Sequence, residues 1–141
     1  MSKKKRVLIL CTGNSARSQM AEGLLRHLGG DQFEVLSAGV EASFVRPQAI
    51  EAMKEIGIDI SQHRSKSVNE FLDEDFDYVI TVCDHANQRC PVFPVNVRRI
   101  HWSIDDPVVS GSDEAQLEAF RGARDELKKR ILAFTGEPTE T

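Results

Sequence analysis

Polar and apolar positions change period along the chain, and each change marks an element. Val7, Leu8, Ile9 and Leu10 form an unbroken aliphatic run, the pattern of a strand buried on both faces. Ala21, Leu24, Leu25 and Leu28 then recur at helical spacing until Gly29-Gly30 stops them. Phe33 to Ser37 predicts a second short strand. Pro47 suits the first position of a helix that carries Ile50, Met53 and Ile56 and ends at Gly57. Ser67 to Leu72 predicts a short helix, Tyr78 to Val82 a third strand and Val97 to His101 a fourth. Asp113 with Gln116 reads as a capping box. It opens a last helix with Leu117, Phe120, Leu127, Ile131 and Phe134 along one side.

Strands alternating with helices predict right-handed crossovers and a parallel sheet covered on both faces, a three-layer α/β/α fold. Ligands bind such sheets beyond the carboxyl ends of the strands. Cys11 ends the first strand, Cys83 ends the third, and Asp105 and Asp106 follow the fourth. The pattern therefore predicts that these regions meet at one edge.

Composition narrows the picture. With 141 residues, 40% hydrophobic and 28% charged, the chain reads as one soluble domain over 1–141 with a tail from about residue 135. A net charge of -4 argues against a nucleic-acid partner. The start, MSKKKR, is basic, but the apolar run after it is too short for an export signal or a membrane span. Three cysteines, an odd number without an export signal, point to the reducing cytoplasm rather than a disulfide scaffold. A monomer is the expectation for a domain of this size. His27, His63, His85 and His101 are scattered, and Cys83 and Cys90 lack zinc spacing, so no metal site is expected.

The stretch CTGNSAR, Cys11 to Arg17, lies between a strand and a helix. Such a loop turns backbone N–H groups inward, and the helix N-terminus adds partial positive charge, a cradle for a tetrahedral oxyanion. Thr12, Gly13, Asn14, Ser15, Ala16 and Arg17 are its candidate walls. Gly13 lets the amides approach closely, and Arg17 can clamp an anion with two parallel hydrogen bonds. Cys11 on the floor feels the same field, which favours thiolate and makes it the candidate nucleophile. Ser18 and Ser15 can donate to the sulfur or hold the loop.

VLILCTGNSARSQMAEGLL resembles the phosphate-binding loop of the low-molecular-weight tyrosine phosphatases and of the arsenate reductases that share their fold. SAGV (Ser37 to Val40), HRSKSV (His63 to Val68) and DDP (Asp105 to Pro107) recur in the family's order, so the likeness runs from Arg6 to about Phe134. It implies a four-stranded parallel sheet of flavodoxin-like architecture. It implies Cys11 as nucleophile, Arg17 as clamp and the aspartate before proline, Asp106, as general acid, with Asp105 the alternative.

The other cysteines separate the two branches. A phosphatase has no chemical use for Cys83 and Cys90, whereas a reductase needs two electrons. In the reductases this chain resembles, Cys11 bonds arsenic, Cys83 attacks Cys11, Cys90 attacks Cys83, and thioredoxin reduces the resulting disulfide. Glutaredoxin or a small thiol is the alternative donor. The segment between Cys83 and Cys90 is polar, and the relay requires it to move. Phosphatases of the family carry an aromatic residue after Asp-Pro, where this chain has Val108 and Val109. The expected activity is thus arsenate reduction in detoxification. The alternatives are phosphotyrosine hydrolysis or a non-enzymatic redox-sensing module. No tightly bound cofactor is expected. Some members hold potassium through residues matching Asn14, Glu22, Ser37 and an aspartate, but Lys66 stands at the aspartate's position, and its ammonium can take the cation's place beside Glu22.

Overall fold

The first apolar run becomes an inner strand of the sheet, β1 (Lys5–Cys11), whose Val7, Leu8, Ile9 and Leu10 have no solvent exposure. Burial on both faces is what an unbroken run needs, because an alternating strand would put polar side chains into one of them. The computed structural model describes residues 4–90, 97–108 and 111–136, the side chains of His85 and Asn87 apart. β2 (Phe33–Gly39) pairs with one side of β1 and β3 (Tyr78–Thr81) with the other; β4 (Arg98–His101) pairs with β3. All pairings are parallel and the order is β2-β1-β3-β4. The register sets Cys11 opposite Gly39, and Thr81 opposite His101. Among the described residues, four α-helices accompany the sheet: α1 (Arg17–Gly29), α2 (Pro47–Lys54), α3 (Asp84–Gln88) and α4 (Asp113–Thr135). α4 packs against α1 and α2. Leu24, Leu25, Phe120, Leu127 and Ile131 are buried to 1% exposure or less. Truncating one of these leucines to alanine costs about 2–5 kcal/mol by the usual cavity arithmetic.

Several boundaries differ from the sequence reading, each for a local reason. α2 ends at Lys54 and tightens into a closing turn, in which Gly57 N–H donates to the Lys54 carbonyl and Ile58 N–H to the Met53 carbonyl. Gly57 takes φ +81, so it does end the segment, as the left-handed residue of a Schellman closure. Ser112, not Asp113, caps α4. Its Oγ accepts from Ala115 N–H at 3.1 Å, while Asp113 is already helical and Gln116 reaches back to the Gly111 carbonyl. Ser67 to Leu72 shortens to a 3₁₀ turn over Val68–Phe71, with Ser67 as its cap. β3 stops at Thr81 and β4 starts at Arg98. The segment after Cys83, read only as polar spacer, folds into α3. Among the described residues no helix is long and apolar enough to cross a membrane. The expected tail beyond Gly136, the start MSK, and Val109 lie outside the described residues.

Candidate active site: an anion cradle at the carboxyl edge

Cys11 closes β1, and its Sγ lies 2.9 Å from Ser18 Oγ, so a hydroxyl can donate to the sulfur. α1 begins at Arg17 after Ala16, with no side-chain cap. Its first amides therefore have no intrahelical acceptor and open onto the loop, with the positive end of the helix dipole behind them. Asn14 makes the turn possible by adopting φ +48, a conformation asparagine tolerates better than most residues. It is fully buried and spends its whole amide locally: Nδ2 donates to Ser18 Oγ (2.7 Å) and Ser37 Oγ (2.9 Å). Its Oδ1 accepts from Gln19 Nε2 (2.9 Å) and Lys66 N–H (2.7 Å). Gly39, opposite Cys11, presses on this loop, and a Cβ there would stand 2.7 Å from Asn14 N and Thr12 O. No side chain fits between two backbones at that distance.

Cys11, Thr12, Gly13, Ser15, Ala16 and Arg17 line a cavity of about 230 Å³, together with Ser43, Arg46, Asp106 and Val108. Arg17 is aimed by the loop after β4: Nη1 donates to the Ile104 carbonyl at 2.9 Å, and Nη2 stands 3.9 Å from Asp106 Oδ2. Asp106 is exposed and accepts Val108 N–H on Oδ1 at 3.0 Å. Asp105 lines only the adjoining groove, whereas Asp106 lines both. Val108 presents an aliphatic wall.

A second groove of about 340 Å³ adjoins the first and shares Thr12, Arg17 and Asp106 with it; Cys83 lines it. Thr12 Oγ1 lies 3.2 Å from Cys83 Sγ, so the residue after one cysteine touches the sulfur of the next. Cys83 Sγ also accepts Ala86 N–H, at 3.4 Å, at the start of α3. Beneath it Thr81 Oγ1 meets His101 Nδ1 (2.7 Å), and His101 Nε2 meets Asp84 Oδ1 (2.8 Å). The His101 contact holds the Asp84 carboxyl below its usual range. Cys90 lies just beyond α3 and is half-buried; burial pushes its thiol above the ordinary value, with Arg99 pulling the other way. No disulfide joins the three cysteines. Arg89 pairs with Glu41 at 2.7 Å, one tie between the end of α3 and the loop after β2.

Behind the cradle, Glu22 is buried and ringed by cations. Ser37 Oγ donates to its Oε1 at 2.5 Å, Arg26 pairs with Oε2 at 2.7 Å, and Lys66 Nζ stands 3.7 Å from Oε1. Lys66 is 9% exposed and donates to the Arg64 carbonyl. Burial pulls its pKa down and Glu22 opposes the shift. Burial likewise keeps His63 below the usual histidine range, and its Nδ1 donates to Gln19 Oε1. Here the Asn14 side-chain oxygen already serves two donors, the Ser37 hydroxyl is engaged with Asn14 and Glu22, and an ammonium stands against the carboxylate. Among the described residues no group of three His, Cys, Asp or Glu side chains can hold a metal ion.

The structure thus gathers Cys11, the loop, Arg17, Ser18, Cys83 and Asp106 at one edge, with Asn14, Glu22, Ser37 and Lys66 as the brace. The sequence reading did not single out Gln19, which donates to the Asn14 and Arg64 carbonyls, nor Ser43 and Ser65, which both donate to the Gly13 carbonyl. Gln19 had one available sign, a polar residue in a stretch where the other helical positions turn inward.

A family model described as low molecular weight phosphotyrosine protein phosphatase matches residues 6–138. The chain belongs to that family. Among its members, the chain is 50% identical over 132 residues to a protein of Halalkalibacterium halodurans named arsenate reductase, covering 93% of this chain and 95% of the relative. It is 46% identical over 137 residues to one of the same name from Shouchella clausii, covering 95% and 99%. A solved arsenate reductase in its oxidized state superposes with a TM-score of 0.80 at 36% identity, covering 94% of this chain and 97% of the other. A tyrosine phosphatase from Erwinia amylovora shares the fold, with a TM-score of 0.78 at 19% identity, covering 96% and 93%.

Proposed function

We propose that this family member reduces arsenate to arsenite through three thiols and is returned to its dithiol state by thioredoxin. The observation that carries the reading is the contact of Thr12 with Cys83, which joins the anion cradle to the groove of a second cysteine. The names of the near relatives agree with it. In the cradle, the Cys11 thiolate attacks arsenic and forms an S–As bond. Asp106 protonates the departing oxygen, which leaves as water. The Cys83 thiolate then attacks Cys11 Sγ. An S–S bond forms, the S–As bond breaks, and its electron pair stays on arsenic, which leaves as arsenite. Cys90 attacks Cys83 Sγ next, freeing Cys11 as thiolate. The Cys83–Cys90 disulfide is reduced by an external dithiol, with thioredoxin favoured because an internal pair is a natural substrate for it.

α3 sets a condition on the last exchange. Five helical residues rise about 7.5 Å, whereas a disulfide needs Cα atoms within about 7 Å. Residues 84–89 must unwind for Cys90 to reach Cys83. A five-residue helix is too short to be stable by itself, so the opening is inexpensive.

We read the place where some members of the family hold potassium as filled from within. Lys66 and Arg26 neutralise Glu22, so the reaction runs without potassium. Purified protein with thioredoxin, thioredoxin reductase and NADPH tests the main reading. Arsenate-dependent NADPH oxidation over many turnovers is expected, and none after Cys11→Ser. Cys90→Ser is expected to stop after about one turnover while leaving slow hydrolysis of an aryl phosphate intact. Brisk ester hydrolysis with no arsenate-dependent oxidation would make the chain a phosphatase.

A further inference from the structure

Arg46 lines the Cys11 cavity, yet the chemistry above does not use it. Its backbone is held by the cradle: Arg46 N–H donates to the Ser15 carbonyl at 2.9 Å, and Pro47 after it fixes the extended φ -70, ψ 134 that opens α2. Its side chain is not held in the same way. Nε is buried and has no hydrogen-bond partner. Among the described residues no carboxylate pairs with the guanidinium, which lies 5.1 Å from the centroid of the Phe44 ring. Arg17 contrasts with it, being already engaged with the Ile104 carbonyl and facing Asp106. Arg6, Arg26, Arg64, Arg121 and Arg124 each meet a carboxylate. A guanidinium in the cavity wall with no carboxylate to neutralise it leaves its charge for an anion bound in that cavity. Phe44 can stack against the guanidinium without taking its hydrogen bonds, which keeps them available.

We infer that Arg46 is a second guanidinium for the anion bound over Cys11, and that it sets a preference for doubly charged over singly charged tetrahedral oxyanions. This rests on the reading of that cavity as an oxyanion site. Arg17 and the loop amides answer the charge that any such anion carries. Arg46 adds a positive group that only a more highly charged anion repays in full, because desolvating a second cation gains little against a singly charged ligand. The residue binds and selects the anion and transfers no proton.

The test needs no turnover. In a Cys83→Ser, Cys90→Ser background the Cys11 thiol is the sole alkylation target. Its reaction with anionic iodoacetate is compared with its reaction with neutral iodoacetamide, and protection from iodoacetamide is titrated with phosphate, with sulfate and with singly charged, tetrahedral perchlorate. Arg46→Gln is expected to lower the iodoacetate-to-iodoacetamide rate ratio roughly tenfold and to weaken phosphate and sulfate protection by a similar factor, about what one charge-assisted hydrogen bond is worth. Perchlorate protection should fall much less. Arg46→Lys, which keeps the charge, should recover part of the loss. The melting temperature of Arg46→Gln should not fall, since the change removes a buried group with no partner. Unchanged ratio and unchanged protection in Arg46→Gln, with the parent protected normally, would overturn the assignment alone. A parent that phosphate and sulfate fail to protect would overturn the oxyanion site and the Arg46 assignment together. Equal losses for perchlorate and sulfate would remove the charge preference.

Discussion

Two strand ends at one edge of the sheet each deliver a cysteine, and they are held in opposite ways. After β1, the loop that follows Cys11 is tied from four directions: Ser18 and Gln19 on α1, Ser37 on β2 with Glu41 just after it, Ser43 and Arg46 ahead of α2, and Ser65 and Lys66 before the 3₁₀ turn. After β3, the segment that follows Cys83 is held, among the described residues, by an N–H to the sulfur, the Thr12 hydroxyl, contacts of Asp84 with His101 and Ser103, Arg99 at Cys90 and an exposed ion pair to Glu41. Binding a tetrahedral anion asks for amides already in place, so that order is bought during folding rather than at each encounter. Passing a disulfide along asks a sulfur to travel, and exposed ion pairs hold such a segment only weakly. The braced loop and the second cysteine sit a few ångströms apart because two neighbouring strands end there.

The largest expected effect comes from breaking the braced side. Asn14→Ala removes the hub of the loop, leaves Ser18, Ser37, Gln19 and Lys66 N–H short of a partner, and puts alanine at φ +48. A stability loss of about 3 kcal/mol is expected in urea unfolding, with a melting temperature lower by roughly 10 °C. Asn14→Gly relieves the backbone and should recover only a minor part. A loss below about 1 kcal/mol for alanine would show that the loop is held by packing instead.

A smaller effect separates the loose side by pH. Because burial raises the Cys90 thiol, its thiolate is scarce at neutral pH, and the step that closes Cys83–Cys90 should quicken as pH rises from 7 to 9. The increase is at most about tenfold per unit, and stopped-flow trapping of single-turnover samples reads it. The same shift has a stability sign. A folded value raised above the unfolded one contributes stability that is complete below the unfolded thiol's pKa, about 8.5, and is lost as pH rises through the folded value. The stability difference between parent and Cys90→Ala should shrink on the alkaline side. A rate that levels off near pH 8.5, the ordinary thiol value, would mean that Cys90 is exposed before it reacts, and a pH-independent step would mean that thiolate formation does not limit closure.

The smallest expected effect is potassium's. Exchanging sodium for potassium should leave the melting temperature and the arsenate KM unchanged, since Lys66 and Arg26 already neutralise Glu22. A potassium-induced rise of several degrees would show that Lys66 swings aside and that the brace is looser than its hydrogen bonds indicate.

Much of this architecture could be read along the chain. The Val7–Leu10 run, the Leu24-Leu25 spacing and Pro47 each act within a few residues, and local sterics and burial decide their outcome. The α4 cap was misread by one residue because Ser112 and Asp113 are both good caps, and only the backbone turn at Gly111 chooses between them. α3 escaped the reading because a five-residue helix carries no periodicity.

The sequence by itself determined a parallel α/β sheet, a cysteine at the end of its first strand, a glycine-containing loop closed by Arg17, and two further thiols seven residues apart. These depend on residue type and spacing over short distances, which a linear pattern records. Only the tertiary structure decided that Thr12 touches Cys83, that Gly39 must lack a side chain, that Gln19 holds the loop, that Lys66 turns inward to Glu22, and that Arg46 stands in the cavity wall with a buried N–H. Each of these joins residues between 5 and 71 positions apart or depends on what surrounds a single side chain. The sheet register and the crossovers, rather than any local preference, bring such groups within ångströms of one another.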